Sequence, residues 1–116
     1  MEAYPALRLQ TEEYISPKIQ LNSSQALQLF RICQEAITNS CKHAKASQLT
    51  VAASSSESKF SISISDNGKG FDLKNDGLEG HYGLQNMKQR AGESNLQLSI
   101  ESSLGKGTTI TISVQE

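Results

Sequence analysis

A chain of 116 residues, 36% of them hydrophobic and only 5% aromatic, can bury one core but not two, so residues 1–116 read as a single domain. Its formal net charge of -1 lacks the excess of Lys and Arg that binding to nucleic acid or an anionic membrane relies on, so neither is an expected partner. No apolar run reaches the length of a membrane span and no basic-then-apolar leader opens the sequence, which predicts a cytoplasmic location without direct membrane contact.

Residues 1–20 are weakly patterned, with Pro5 and Pro17 as punctuation, and a short strand is expected where Leu7 and Leu9 alternate with Arg8 and Gln10. The strongest helical signal follows. Asn22 suits an N-cap with Gln25 three residues on, and Ala26, Phe30, Cys33, Ile37, Cys41 and Ala44 recur at three- and four-residue spacing. That pattern predicts a helix of about five turns ending near Lys45, with this apolar stripe turned inward. Cys33 and Cys41 lie roughly 12 Å of rise apart on it, too far to bridge, and are expected to be reduced core residues. Neither has the paired Cys/His spacing of a metal site.

Next, Leu49, Val51 and Ala53 alternate with polar residues, Ser54 to Ser58 form a polar turn, and Phe60, Ile62 and Ile64 alternate with serines, predicting an antiparallel hairpin with one buried face. From Asp66 to Gly83 the chain is glycine-rich and aperiodic, a long loop of the kind that serves function or moves. Leu84, Met87 and Ala91 predict a second helix of about two turns closed by Gly92. Two further strands carry Leu96, Leu98 and Ile100, then Ile110, Ile112 and Val114. Hairpins in place of strict strand–helix alternation favour a two-layer α/β sandwich, a mixed and largely antiparallel sheet with helices on one face, over a doubly wound parallel sheet.

Four clusters could carry chemistry. On the long helix, Glu35, Asn39, Lys42 and His43 form a stripe opposite the apolar one. A solvated face is the ordinary reading. Against it, Ile32 and Ala36 flank the stripe, and its carboxylate and amide oxygens suit Mg²⁺ while Lys42 and His43 suit phosphate oxygens. Second, Asp66-Asn-Gly-Lys-Gly-Phe71 follows a strand: Asp66 can accept a hydrogen bond from an exocyclic amine, and Gly68 and Gly70 allow close approach of a flat ring or phosphate. An ordinary Asp-Asn-Gly turn competes with that reading. A calcium loop would need Asp or Asn at Gly68 and Glu at Gly77, and a Walker loop would need Ser or Thr after Lys69 or Lys106, where glycine stands. Third and fourth, Gly80-His-Tyr-Gly-Leu84 opens the second helix, a natural anion site, and Gly105-Lys-Gly-Thr-Thr109 enters the last strand.

In this order the clusters resemble the N box (Glu35 to Asn39 with Lys42-His43), the G1 box (Asp66 to Phe71), the G2 box (Gly80 to Leu84) and the glycine–threonine motif (Gly105 to Thr108) of the GHKL ATPases, whose fold is the Bergerat nucleotide-binding fold. The similarity covers roughly residues 20 to 115. Asn39-Ser-Cys-Lys-His-Ala-Lys45 and Gly83-Leu-Gln-Asn-Met-Lys-Gln-Arg-Ala91 are similar in particular to histidine kinases that pair with NarL-type response regulators. The resemblance implies a Mg·ATP site. Asn39 would ligate the metal, Glu35 would polarise the attacking group, and Lys42 or His43 would contact phosphate. Asp66 would bind the adenine amine and Gly68 and Gly70 would line the ring. Residues 72–82 would form the ATP lid, Gly83 and Leu84 would close over phosphate, and Thr108 would support Asp66 through a hydroxyl or water contact.

Such kinases phosphorylate a histidine on a dimerising helical hairpin, whereas the histidines here are His43, in the N box, and His81, in the lid. The implied partners are therefore a dimerisation and phosphoacceptor domain of the same kinase and a response regulator. The isolated domain is expected to be monomeric, within a whole protein that is either soluble or membrane-anchored. An anti-sigma-type serine kinase and a nucleotide-sensing module without turnover are the alternative readings.

Overall fold

Alternation of isoleucine and serine makes residues Lys59–Asp66 (β3) the middle strand of the structure, a computed structural model that describes residues 8–14, 21–42, 46–55, 59–78 and 80–115. The other elements are β1 (Arg8–Tyr14), α1 (Ser23–Lys42), β2 (Gln48–Ser55), α2 (Leu73–Asp76), α3 (Tyr82–Glu93), β4 (Gln97–Ser103) and β5 (Gly107–Gln115). The strands form one five-stranded sheet in the order β1-β2-β3-β5-β4. β2–β3, β3–β5 and β4–β5 are antiparallel, and β1 pairs parallel to β2, so the sheet is mixed and largely antiparallel as the sequence predicts. Parallel neighbours need a long crossover, and α1 is that crossover.

Period-two alternation sends one set of side chains to the helical layer. Val51 stands opposite Ile64, Ile64 opposite Ile110, and Ile62 opposite Ile112. They meet Ile32 and Ala36 of α1 and Leu84, Met87 and Ala91 of α3 in a single core. The opposite face is lined by hydroxyls, with Ser65 hydrogen-bonded to Thr109 at 2.9 Å and Ser54 to Ser61 at 3.2 Å. Asp66 lies opposite Thr108 at the end of the inward-facing register, so the strand that builds the core also delivers a carboxylate to its edge.

α1 begins as predicted. Asn22 Oδ1 accepts the Gln25 N–H at 2.7 Å and Gln25 Oε1 accepts the Asn22 N–H at 3.3 Å, a reciprocal cap. Asn22→Ala should lower stability by about 1 kcal/mol, read as a lower urea midpoint at unchanged slope. The inward face differs from the predicted stripe. Leu29, Ile32, Ala36 and Ser40 are buried, Cys33 and Ile37 sit half-buried at the margin, and Ala26 and Phe30 are exposed, Phe30 by 63%. Apolar counting ignores size, and Ala36 and Ser40 are small enough to bring the helix close to the end of β3. Burial pushes the Cys33 thiol up to about 11, so it stays protonated and inert at neutral pH. Both cysteines are free and half-buried.

Two other expectations are corrected. The stretch after Asp66 is not irregular throughout: it contains the one-turn α2, whose first turn Asp72 caps by accepting the Asn75 N–H at 3.2 Å. α3 runs for 12 residues, not about two turns, and Gly92 lies inside it. The chain turns instead at Asn95, whose φ of 57° is the left-handed conformation that asparagine tolerates. Leu7, Ala44, the helix end expected near Lys45 and the tip of the serine turn lie outside the described residues.

Candidate functional site

A cavity of about 700 Å³ opens between α1, the end of β3, the start of α3 and the β4–β5 turn. Its floor is apolar, built from Ala36, Ile64, Leu84 and Ile110, with Asp66 and Thr108 at one side and Glu35 and Asn39 at another. An apolar slot with few polar groups is the usual setting for a flat heteroaromatic ligand.

The Asp66 carboxylate is fixed from three directions. Oδ2 accepts the Ser40 hydroxyl at 2.8 Å, and Oδ1 accepts the Gly68 N–H at 2.9 Å and the Thr108 N–H at 3.3 Å. A carboxylate offers about four acceptor positions, so one remains, on Oδ2. Thr108 thus supports Asp66 through its backbone and not its hydroxyl, which bonds Ser102 Oγ at 2.8 Å. Ser102 in turn accepts the Phe71 N–H at 2.9 Å, and the Gly105 N–H donates to the Lys69 carbonyl at 2.7 Å. These bonds tie the Asp66–Phe71 segment to the β4–β5 turn.

Gly107 makes that junction possible. Its φ is +84°, and a Cβ there would run into the carbonyl oxygen of Asp66. Neighbouring Asn67 is a clasp: its Oδ1 accepts the N–H groups of Ser47 and Gln48, each at 2.9 Å, and its amide donates to Ser47 Oγ at 2.9 Å.

At the far side, the first turn of α3 approaches α1 so closely that a Cβ on Gly83 would sit 2.7 Å from Glu35 Oε1 and 3.5 Å from Asn39 Nδ2. The first helical hydrogen bond there is from Gln85 N to His81 O at 3.0 Å, so the N–H groups of Tyr82, Gly83 and Leu84 precede the ladder at the positive end of the helix. Phe71 and His81 stack with ring centroids 4.1 Å apart and planes inclined 26°, closing the base of segment 72–82.

Of the residues predicted from sequence, Glu35, Asn39, Asp66, Gly70, Gly83, Leu84 and Thr108 come together on the cavity wall. Lys42 and Gly68 do not. Lys42 is exposed in the last turn of α1, nearly two turns beyond Glu35, and Gly68 is buried behind Asp66. His43 lies outside the described residues. Sequence reasoning missed Ser40, the Phe71–His81 stack and Leu104, which is 70% exposed at the cavity mouth. Only the helical spacing of Ser40, one residue past Asn39, could have pointed to it. No group of three or more His, Cys, Asp or Glu gathers to hold a metal among the described residues.

Residues 24–116 match the family described as histidine kinase-, DNA gyrase B-, and HSP90-like ATPase. The chain is 46% identical over 86 residues to the signal transduction histidine-protein kinase/phosphatase DegS of Brevibacillus brevis, covering 74% of this chain and 22% of that protein. It is 44% identical over 87 residues to the sensor histidine kinase LiaS of Bacillus subtilis, covering 74% of this chain and 24% of that one. The chain therefore spans about a quarter of the length of these relatives. The ATP binding domain of PrrB from Mycobacterium tuberculosis superposes with a TM-score of 0.76 at 25% identity, over 98% of this chain and 83% of that one.

Proposed function

Because the chain belongs to the histidine kinase-, DNA gyrase B- and HSP90-like ATPase family, we propose that its cavity binds Mg·ATP and that the domain transfers the γ-phosphoryl group to a histidine on a dimerising segment outside this sequence. A response regulator is the onward acceptor in this reading. The histidine is preferred to the serine of an anti-sigma-type partner, and turnover to mere sensing, because the relatives above are named histidine kinases.

The observation that carries the proposal is Asp66, a carboxylate braced by three donors at the rim of an apolar slot, with one acceptor position to spare for the adenine amine. Gly70 and the apolar floor take the ring. Glu35 and Asn39 both face Gly83, so a carboxylate and an amide converge on the α3 N-terminus, where phosphates are favoured. These hard oxygen donors fit Mg²⁺, which takes few protein ligands and completes its shell with nucleotide phosphates and water. Asn39 would hold it, and the ion would neutralise charge on the phosphate oxygens.

The chain's own residues mainly position and polarise. Asp66 sets the depth of the nucleotide, and the N–H groups of Tyr82, Gly83 and Leu84 stabilise charge on the phosphates. Glu35 accepts a hydrogen bond from the attacking imidazole, orienting its free nitrogen lone pair. Residues 72–82, pinned at their base by the Phe71–His81 stack, act as a lid that excludes water. Lys42 is exposed outside the cavity and has no assigned contact with phosphate.

Calorimetry with Mg·ATP should give a saturable isotherm of one site that ADP competes for. Incubation with a histidine-bearing helical hairpin and ATP should give an acid-labile phosphoramidate on that hairpin. Acid-stable transfer to serine would move the assignment to the serine kinases, and binding without transfer to a sensing module.

A further inference from the structure

Four large apolar side chains stand exposed among the described residues, and two of them, Tyr82 and Leu104, line the nucleotide cavity while Leu27 and Phe30 do not. Tyr82 opens α3, where its N–H already has a place in the phosphate subsite. Leu104 has no such explanation. It is the second residue of a β-turn, Ser103 to Lys106, closed by the Lys106 N–H on the Ser103 carbonyl at 3.0 Å, with Gly105 at the third position in a positive φ of 77°. Proline is the common choice at that second position, and nothing in the turn itself calls for a leucine.

The turn is held in place from several sides. The Gly105 N–H donates to the Lys69 carbonyl at 2.7 Å, and the Ser102 hydroxyl donates to the Gly107 carbonyl at 3.1 Å. Gly70 lies so near that a Cβ on it would strike the Ser103 carbonyl oxygen. Gly107 packs on the Asp66 backbone, and the Thr108 N–H bonds the Asp66 carboxylate. Each of these ties the turn together or joins it to Asp66–Gly70, the base end of the cavity, whereas Glu35, Asn39 and Gly83 make the other end. Leu104 therefore stands beside the adenine subsite on a backbone already ordered, and a ligand that covers it gains apolar burial without the cost of ordering a loop.

We infer that Leu104 is a nucleoside-binding residue, whose side chain closes over the nucleoside at the cavity mouth and completes the apolar slot begun by Ala36, Ile64, Leu84 and Ile110. The inference rests on the ATP reading above and adds the residue that shields the nucleoside from water. Because Leu104 sits at the base end, its contribution does not depend on the number of phosphates, and ATP and ADP gain from it equally.

Calorimetry on four variants tests this. Leu104→Ser should raise the Kd for Mg·ATP and for ADP by the same factor, about tenfold, at unchanged Tm, since a side chain 70% exposed contributes little to the fold. Leu104→Met should keep most of the affinity, and Leu27→Ser, an exposed leucine outside the cavity, should keep all of it. The chain has no tryptophan, so Leu104→Trp places a single reporter at the mouth, and its emission should move to the blue saturably as nucleotide is added. An unchanged Kd in Leu104→Ser overturns the inference, as does a loss for ATP that ADP does not share, or a loss matched by a fall in Tm. An unmoved tryptophan spectrum with ATP bound overturns it as well. All of these outcomes leave ATP binding by the starting chain intact, whereas no ATP binding by the starting chain would overturn the kinase reading and this inference with it.

Discussion

Asp66→Asn should lower the affinity for ATP by about 30- to 100-fold, roughly 2 to 3 kcal/mol, while the domain stays folded. The substitution keeps the shape of the side chain. Its remaining oxygen can stay at the Oδ1 position and accept the N–H groups of Gly68 and Thr108, and the new amide group can donate to the Ser40 hydroxyl, which is able to reverse its role. The internal network therefore survives. What changes is the group offered to the ligand: a donor replaces the acceptor and faces another donor, the adenine amine. Calorimetry with Mg·ATP reads the loss, and an unchanged melting temperature separates it from unfolding. Equal affinity in the two chains would remove Asp66 from the adenine subsite.

The second large effect is on stability. Gly107→Ala should cost about 3 kcal/mol or more, seen as a fall in the urea midpoint or in Tm. Two penalties add there. The left-handed backbone, φ +84°, is unfavourable for any residue with a side chain, and the new methyl would strike the Asp66 carbonyl oxygen where β3 and β5 are paired. Gly105, two residues earlier, supplies the control. Its φ of +77° is similar, but a Cβ there meets nothing within 4 Å, so Gly105→Ala should cost only about 1 kcal/mol. Similar losses at the two positions would show that backbone angle, and not the close approach to Asp66, governs this turn.

β3, β4 and β5 were legible because they share one device, apolar residues at alternate positions against polar ones, and nothing distant alters that alternation, whereas β1 carries little of it. The face of α1 was less legible. Ala26, Phe30, Cys33 and Ile37 satisfy helical periodicity as well as Leu29, Ile32, Cys33 and Ala36 do, and only the packed sheet and α3 choose between the two stripes. That choice also explains Lys42. With Ile32 and Ala36 turned inward, Glu35 and Asn39 fall at the cavity edge, while Lys42 continues past its end.

At the site, residues singled out by their chemistry, such as Asp66 and Asn39, could be read in advance. Ser40 could not, because its meaning comes from a contact 26 residues away in sequence. The same is true of Phe71 and His81, whose stacking depends on where an irregular segment returns.

Asp66 and Asn67 differ by one oxygen and one nitrogen, yet one is braced beside the ligand slot and the other holds the chain between α1 and β2. The dipeptide is therefore directional. Written in reverse, it would keep composition, volume and turn propensity, and would place an amide where an acceptor is needed and a charge where two N–H groups and a hydroxyl expect an amide. Any redesign or alignment of this segment has to respect the order of its letters as strictly as their identity, since a one-residue slip there moves the ligand contact and the clasp together.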